Sequence, residues 1–177
     1  MAQEAASGKR FGPYTIYGEL ARGGQGAIYR ATDANDAPCA LKMLTSRDPQ
    51  AAARFRQEGK VLAALSHPNL LRVKDLGEHN QIPFLAMEYV DGDDLDAIVT
   101  RGIPAFEWSA RVLGAVAHAL HTCHQKGLVH RDLKPANILV ETGTQRPVLV
   151  DFGLVKRDPE QMRLSSLQGP LSRTGEI

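Results

Sequence analysis

His130-Arg131-Asp132-Leu133-Lys134-Pro135-Ala136-Asn137 gathers a carboxylate, an ammonium and a carboxamide within eight residues, and Asp151-Phe152-Gly153 follows it after the short apolar run Val148, Leu149, Val150. An isolated Asp-Phe-Gly is ordinary turn chemistry. Placed in order behind the first motif, with a strand-like spacer between them, it becomes a specific signal. Upstream, residues 105–126 carry a helical apolar period through Val112, Leu113, Val116, Ala119, Leu120 and Cys123 and close on Lys126-Gly127, a C-terminal helix signature. That helix is expected to deliver the chain into Leu128-Val129-His130. His118, His121 and His124 recur every three residues. This spacing fans them over more than one helix face, and no cysteine or carboxylate completes a set, so solvated or packed histidines are expected in place of metal ligands.

The two motifs together resemble the catalytic loop and the magnesium-binding loop of protein kinases. Phosphoryl transfer asks a protein to hold metal ions against the phosphates and to orient the incoming hydroxyl. The resemblance implies that Asp132 accepts the hydroxyl proton, that Asn137 and Asp151 bind the metals, and that Lys134 neutralises charge on the moving phosphoryl group. Lys134, two residues after Asp132, is similar to serine/threonine kinases, and residues 21–31 and 151–156 look most like bacterial kinases of the eukaryotic type.

Such a resemblance requires a phosphate-covering glycine loop and a strand lysine in the first half. Residues 14–21, 27–31 and 39–44 read as three strands with glycine-rich and polar breaks between them. The family's G-x-G-x-x-G-x-V is matched from Ala21 through Gly23 and Gly26 to Ile28, with Ala21 in place of the first glycine. Cys39-Ala40-Leu41-Lys42 is similar to the family's V-A-I-K. Farther on, Asp48 before Pro49 reads as an N-cap and a first-turn proline. Phe55, Glu58, Leu62 and Leu65 then fall on one helical stripe. A carboxylate in an apolar stripe is costly unless paired, and Lys42 is the expected partner of Glu58, in the manner of the kinase lysine–glutamate ion pair.

Residues 84–92 are an apolar strand running into a turn and resemble the kinase hinge, whose backbone would meet the adenine edge. By that resemblance Met87 guards the back of the pocket and Asp94 meets the ribose, while Ala40, Glu88, Val90 and Leu139 join the nucleotide-binding set. Asp94 also reads, with Asp91, Asp93 and Asp96, as helix-start charge. Arg131 is expected to pair with a phosphate on the activation segment, where Ser165, Ser166, Ser172 and Thr174 are the available hydroxyls and Thr174, beside Arg173, is the first choice.

The 177 residues, 43% of them hydrophobic, can bury a core, and a net charge of +1 gives no argument for nucleic acid or a membrane surface. Cys39 and Cys123 form no disulfide framework, which fits a reducing, cytoplasmic compartment. No apolar run is long enough to span a bilayer.

The expected fold is α+β and kinase-like, with an antiparallel-sheet N-lobe and an incomplete helical C-lobe. Residues 1–10 are expected to be a disordered tail, 11–91 the N-lobe and hinge, and 92–177 a partial C-lobe ending in the activation segment. The polar stretch 157–177 reads as a mobile loop, and the chain stops at Ile177 before any Ala-Pro-Glu motif, as a truncated kinase domain would. The implied function is a protein serine/threonine kinase using ATP and Mg2+ on a protein substrate, with low activity expected of a fragment. Two other readings stay open. One is a nucleotide-binding pseudokinase or regulatory fragment without turnover, suggested by the missing helical half. The other is a small-molecule phosphotransferase, against which Arg131 and the Lys134-Pro135 pair argue.

Overall fold

The computed structural model describes residues 8–24 and 26–151, together with the backbone of Lys156–Arg157. Six strands, β1 (Lys9–Phe11), β2 (Tyr14–Gly23), β3 (Gly26–Thr32), β4 (Pro38–Leu44), β5 (Val73–His79) and β6 (Ile82–Glu88), form an antiparallel sheet in the order β1-β2-β3-β4-β6-β5. Helix α1 (Pro49–Ala63) is inserted between β4 and β5. The second half runs β7 (Gly92–Asp94), α2 (Leu95–Arg101), α3 (Phe106–Gln125), β8 (Leu128–Val129), a 3-10 turn Pro135–Asn137, β9 (Ile138–Glu141), β10 (Pro147–Leu149) and β11 (Lys156–Arg157). Its strands make two small sheets, β10-β9-β7 and β11-β8. This is the α+β arrangement expected from the sequence.

Cross-strand register sorts the large sheet into two faces. Ala21 pairs with Ile28, Ile28 with Lys42, Lys42 with Leu85 and Ala40 with Met87. Paired residues project to the same side, as do residues two apart on a strand. Ala21, Ile28, Ala40, Lys42 and Met87 therefore share one face. The opposite face carries Ala31, Cys39, Leu41, Phe84 and Ala86, which pack with Phe11 and Tyr14 into a separate cluster.

Helix α1 begins as its sequence dictates: the Asp48 carboxylate accepts from the Gln50 and Ala51 N–H groups, and Pro49 occupies the first turn, where no N–H is missed. Its buried residues are Phe55, Gly59 and Leu62. A Cβ on Gly59 would lie 2.7 Å from Leu76 Cδ1 and 3.1 Å from Leu85 Cδ1, so the glycine sets how closely α1 approaches β5 and β6. Leu65 is buried but lies beyond the end of α1, a small correction to the four-residue stripe.

One core joins the two halves: Ala40, Phe55, Leu62 and Met87 belong to the same cluster as Val116, Ala119, Ile138 and Leu149. The turn after α1 is tied directly to β10. Leu149 donates to Asn69 O at 2.9 Å, Leu71 donates to Leu149 O at 3.1 Å, and the Asn69 amide donates to Pro147 O at 2.7 Å.

Two further residue groups lie elsewhere than their sequence suggests. Lys9 and Arg10, placed in the N-terminal tail, lie in β1 paired with Ile16 and Thr15; residues 1–7 of that tail lie outside the described residues. Leu113, placed on the apolar face of α3, is 57% exposed. The buried residues are Val112, Val116, Ala119 and Cys123, a stripe at helical spacing from which Leu113 is offset by about 100°. Gly127, with φ 70°, ends α3 in the left-handed conformation that glycine adopts freely. No helix among the described residues is long and apolar enough to cross a membrane.

Candidate active site

The 130–137 loop is closed by contacts among its own members. Asn137, only 5% exposed, donates its side-chain amide to Asp132 O at 2.7 Å and to Asp132 Oδ2 at 3.1 Å. Lys134 Nζ lies 2.8 Å from the same Oδ2. The Lys134 hydrogen bond, helped by that of Asn137, holds the Asp132 carboxyl below the usual carboxylate range, so it stays ionised at neutral pH. Asp132 in turn raises the Lys134 ammonium above its ordinary value. His130, 2% exposed, sets the loop's depth with Nε2 at 3.1 Å from Val150 O, and Val150 N–H donates to Asn137 O at 2.9 Å. Arg131 (φ 63°) and Asp151 (φ 57°) are both left-handed. For non-glycine residues this conformation costs roughly 1–3 kcal/mol and concentrates at functional sites.

Lys42 Nζ stands 3.7 Å from Glu58 Oε1, with the two side chains 13% and 17% exposed. Burial raises the Glu58 carboxyl above its ordinary range, the Lys42 ammonium pulls it back, and the Asp151 carboxylate adds to the rise. Asp151 also raises Lys134. The charges on α1 and β4 are therefore linked to those of the 130–137 loop through Asp151. Because the fold raises the Glu58 carboxyl, the stability it contributes is full below the ordinary carboxylate range and is lost as pH rises through the folded value. The stability of Glu58→Gln relative to the parent is accordingly expected to improve from acid to neutral pH; thermal melts across that range check the sign.

The other sequence-derived residues take defined places in the fold. Gly23 pairs with Gly26 at the β2–β3 turn. A Cβ on Gly26 (φ 155°) would overlap the Met43 carbonyl oxygen, so this position requires glycine, whereas nothing lies within 4 Å of a Cβ on Gly23. Ala21 pairs with Ile28 immediately after a register shift in β2 but is absent from the positive-φ residues, which explains why alanine replaces glycine there without strain. Met87 and Val90 are buried at the end of β6 and beyond it. Leu139 on β9 pairs with Asp94 and Val148. Asp94 takes the helix-start role: its Oδ1 accepts from Ala97 N–H at 2.7 Å and caps α2. Glu88 is held by an ion pair to Arg146 at 3.1 Å, a partner with no sequence signature, since an arginine in a polar turn reads as surface. Phe152, Gly153, Ser165, Ser166, Ser172 and Thr174 lie outside the described residues.

A family model described as the protein kinase domain matches residues 14–171. The chain belongs to the protein kinase domain family. Among curated relatives, the serine/threonine-protein kinase PknJ of Mycobacterium tuberculosis is 38% identical over 164 residues, covering 88% of this chain and 28% of PknJ. PknH of the same species is 34% identical over 165 residues, covering 90% of this chain and 26% of PknH. This kinase-family chain thus spans little more than a quarter of the length of those relatives. Its fold is also that of solved kinase domains: the M. tuberculosis PknI kinase domain superposes with a TM-score of 0.69 at 36% identity, covering 85% of this chain and 64% of that one.

Proposed function

We propose that this chain carries the nucleotide-binding half and the catalytic loop of a protein serine/threonine kinase that transfers the γ-phosphoryl of ATP to a protein hydroxyl. The observation that carries the proposal is the Asp132–Lys134–Asn137 cluster, with the Asp151 charge acting both on it and on the Lys42–Glu58 pair. We place the N-lobe and hinge at 11–91, extended at its start by Lys9 and Arg10 of β1, and the partial C-lobe from 92 onward, in a cytoplasmic protein without a nucleic-acid partner.

The residues present fit Mg2+. Magnesium is usually held by one or two protein oxygens together with phosphates and water. Asn137 donates through its amide nitrogen, which leaves its hard side-chain carbonyl oxygen for an ion, and the Val150 N–H bond to the backbone O of Asn137 runs the chain into Asp151, whose carboxylate would be the second ligand. When bound, the ion would neutralise charge on the phosphates.

The chain's own groups divide the remaining work. Asp132, ionised at neutral pH, accepts the hydrogen bond of the substrate hydroxyl, aims its oxygen at the phosphorus and takes its proton. Lys134 sits where charge grows on the transferring group, and Lys42, held by Glu58, positions the phosphates. Ala21, Gly23, Gly26 and Ile28 cover them, and Ala40, Met87, Glu88, Val90 and Leu139 enclose the adenine. Asp94 keeps Oδ2 for the ribose while Oδ1 caps α2.

Saturating ATP at about a hundred times its dissociation constant is expected to stabilise the chain by roughly 2.7 kcal/mol. A melting shift that disappears when magnesium is chelated checks this. No shift at any nucleotide concentration would overturn the reading.

A further inference from the structure

Arg146 closes the hairpin between β9 and β10, and the turn geometry sends its guanidinium back across the chain. Gln145, with φ 57°, donates to Glu141 O at 2.9 Å, and Glu141 N–H donates to Arg146 O at 3.0 Å. From there the guanidinium reaches three separate segments. Nη1 donates to Pro68 O at 2.8 Å in the turn after α1, Nη2 to Glu88 Oε2 at 3.1 Å at the end of β6, and Nε to Glu141 Oε2 at 3.4 Å. The three charged side chains are each less than a third exposed. This sets them apart from solvent-facing pairs, which contribute little.

Glu88 is fixed a second time, through its own backbone. Its Oε1 accepts from Arg72 N–H at 3.0 Å, and its N–H donates to Arg72 O at 2.9 Å. Side chain and main chain of this one residue are thus held from both sides, and Arg146 supplies the only arm that comes from the second half of the chain among those contacts. A guanidinium presents donors on three separate nitrogens in a rigid plane and so spans acceptors on three segments; an ammonium's three donors radiate from one nitrogen and lack that span.

We infer that Arg146 is a positioning residue for the nucleotide: through Glu88 it fixes the backbone that meets the adenine edge, and through Pro68 it fixes that backbone relative to α1. The inference rests on the kinase reading above. Its effect falls on the base, which ATP and adenosine share, and not on the phosphates. Arg146→Ala therefore weakens ATP and adenosine alike, by roughly tenfold, while Arg146→Lys, which keeps the charge and stem but loses the fork, falls between parent and alanine variant.

The test is a competition titration of the 177-residue chain with ATP and with adenosine, against a fluorescent nucleotide, at a temperature where circular dichroism shows parent and variants fully folded. Equal loss for both ligands, graded parent, lysine, alanine, supports the inference. If the alanine variant does not fold, the lysine variant decides alone by the same equal-loss criterion. Unchanged affinities in a folded variant, or a loss confined to ATP, overturn the inference and leave the kinase reading standing. A parent that binds neither ligand overturns both.

Discussion

Asp132→Asn lowers phosphoryl transfer by about 100- to 10,000-fold, the range a positioned proton acceptor contributes, in any form of the protein that phosphorylates a protein substrate. The asparagine keeps the shape of the side chain and can still accept from Lys134 and Asn137, so the loop is expected to stay closed and nucleotide affinity to stay near the parent's. The loss therefore appears in kcat with little change in the KM for ATP, the pattern of a group that acts in the transition state. In the parent, the Lys134 and Asn137 hydrogen bonds that hold the Asp132 carboxyl down also move the acid limb of the rate profile below the ordinary carboxylate range. Steady-state kinetics of both proteins check both statements, and comparable kcat values would remove Asp132 from the chemistry.

The largest loss of stability is expected from a residue with no chemistry. Gly92 pairs with Glu141 at the start of β7, and a Cβ there would overlap the Val140 carbonyl oxygen, lying 2.7 Å from Val140 C and 3.0 Å from Glu141 Cα. Those are backbone atoms of β9, which cannot move without opening the pairing that presents Leu139. Gly92→Ala is expected to cost about 3 kcal/mol, a drop in Tm of roughly 6–12 °C for a chain of this size. Gly114, exposed on α3, has nothing within 4 Å of a Cβ. Gly114→Ala should go the other way by up to about 1 kcal/mol, since alanine is the better helix former. Melting both variants side by side separates the steric argument from a general intolerance of substitution.

Local chemistry made much of this legible beforehand. Asp48-Pro49 announces α1, the Lys126-Gly127 pair announces the end of α3, and the apolar period of residues 39–44 places Lys42 on a strand. The spacing of Glu58 against its apolar neighbours foretold a buried carboxylate in search of a cation, and Lys42 is where the structure provides one. What stayed hidden depends on distant backbone. Nothing in the residue itself marks Gly92, because the clash that forbids a side chain there comes from a strand about fifty residues away. Arg146 meets Pro68 and Glu88 across separations of 78 and 58 residues. The left-handed Arg131 is equally silent, since arginine has no preference for that conformation.

The fastening of the turn after α1 to β10 gives the helix a lever geometry. Its C-terminal end is held by the Asn69 and Leu149 hydrogen bonds, while its N-terminal end at Pro49 is exposed. Any rotation of α1 therefore has its fulcrum near Ala63. Glu58 lies five residues from that point, about 7.5 Å along the axis at 1.5 Å per residue, and Pro49 about 21 Å. A swing of about 10° carries Pro49 through nearly 4 Å but Glu58 through only about 1.3 Å. That is enough to part a carboxylate from an ammonium 3.7 Å away, while buried Phe55, about 12 Å from the fulcrum, would shift by about 2 Å and have to repack. A partner pushing on the exposed end of α1 would work with a mechanical advantage of nearly three at the ion pair.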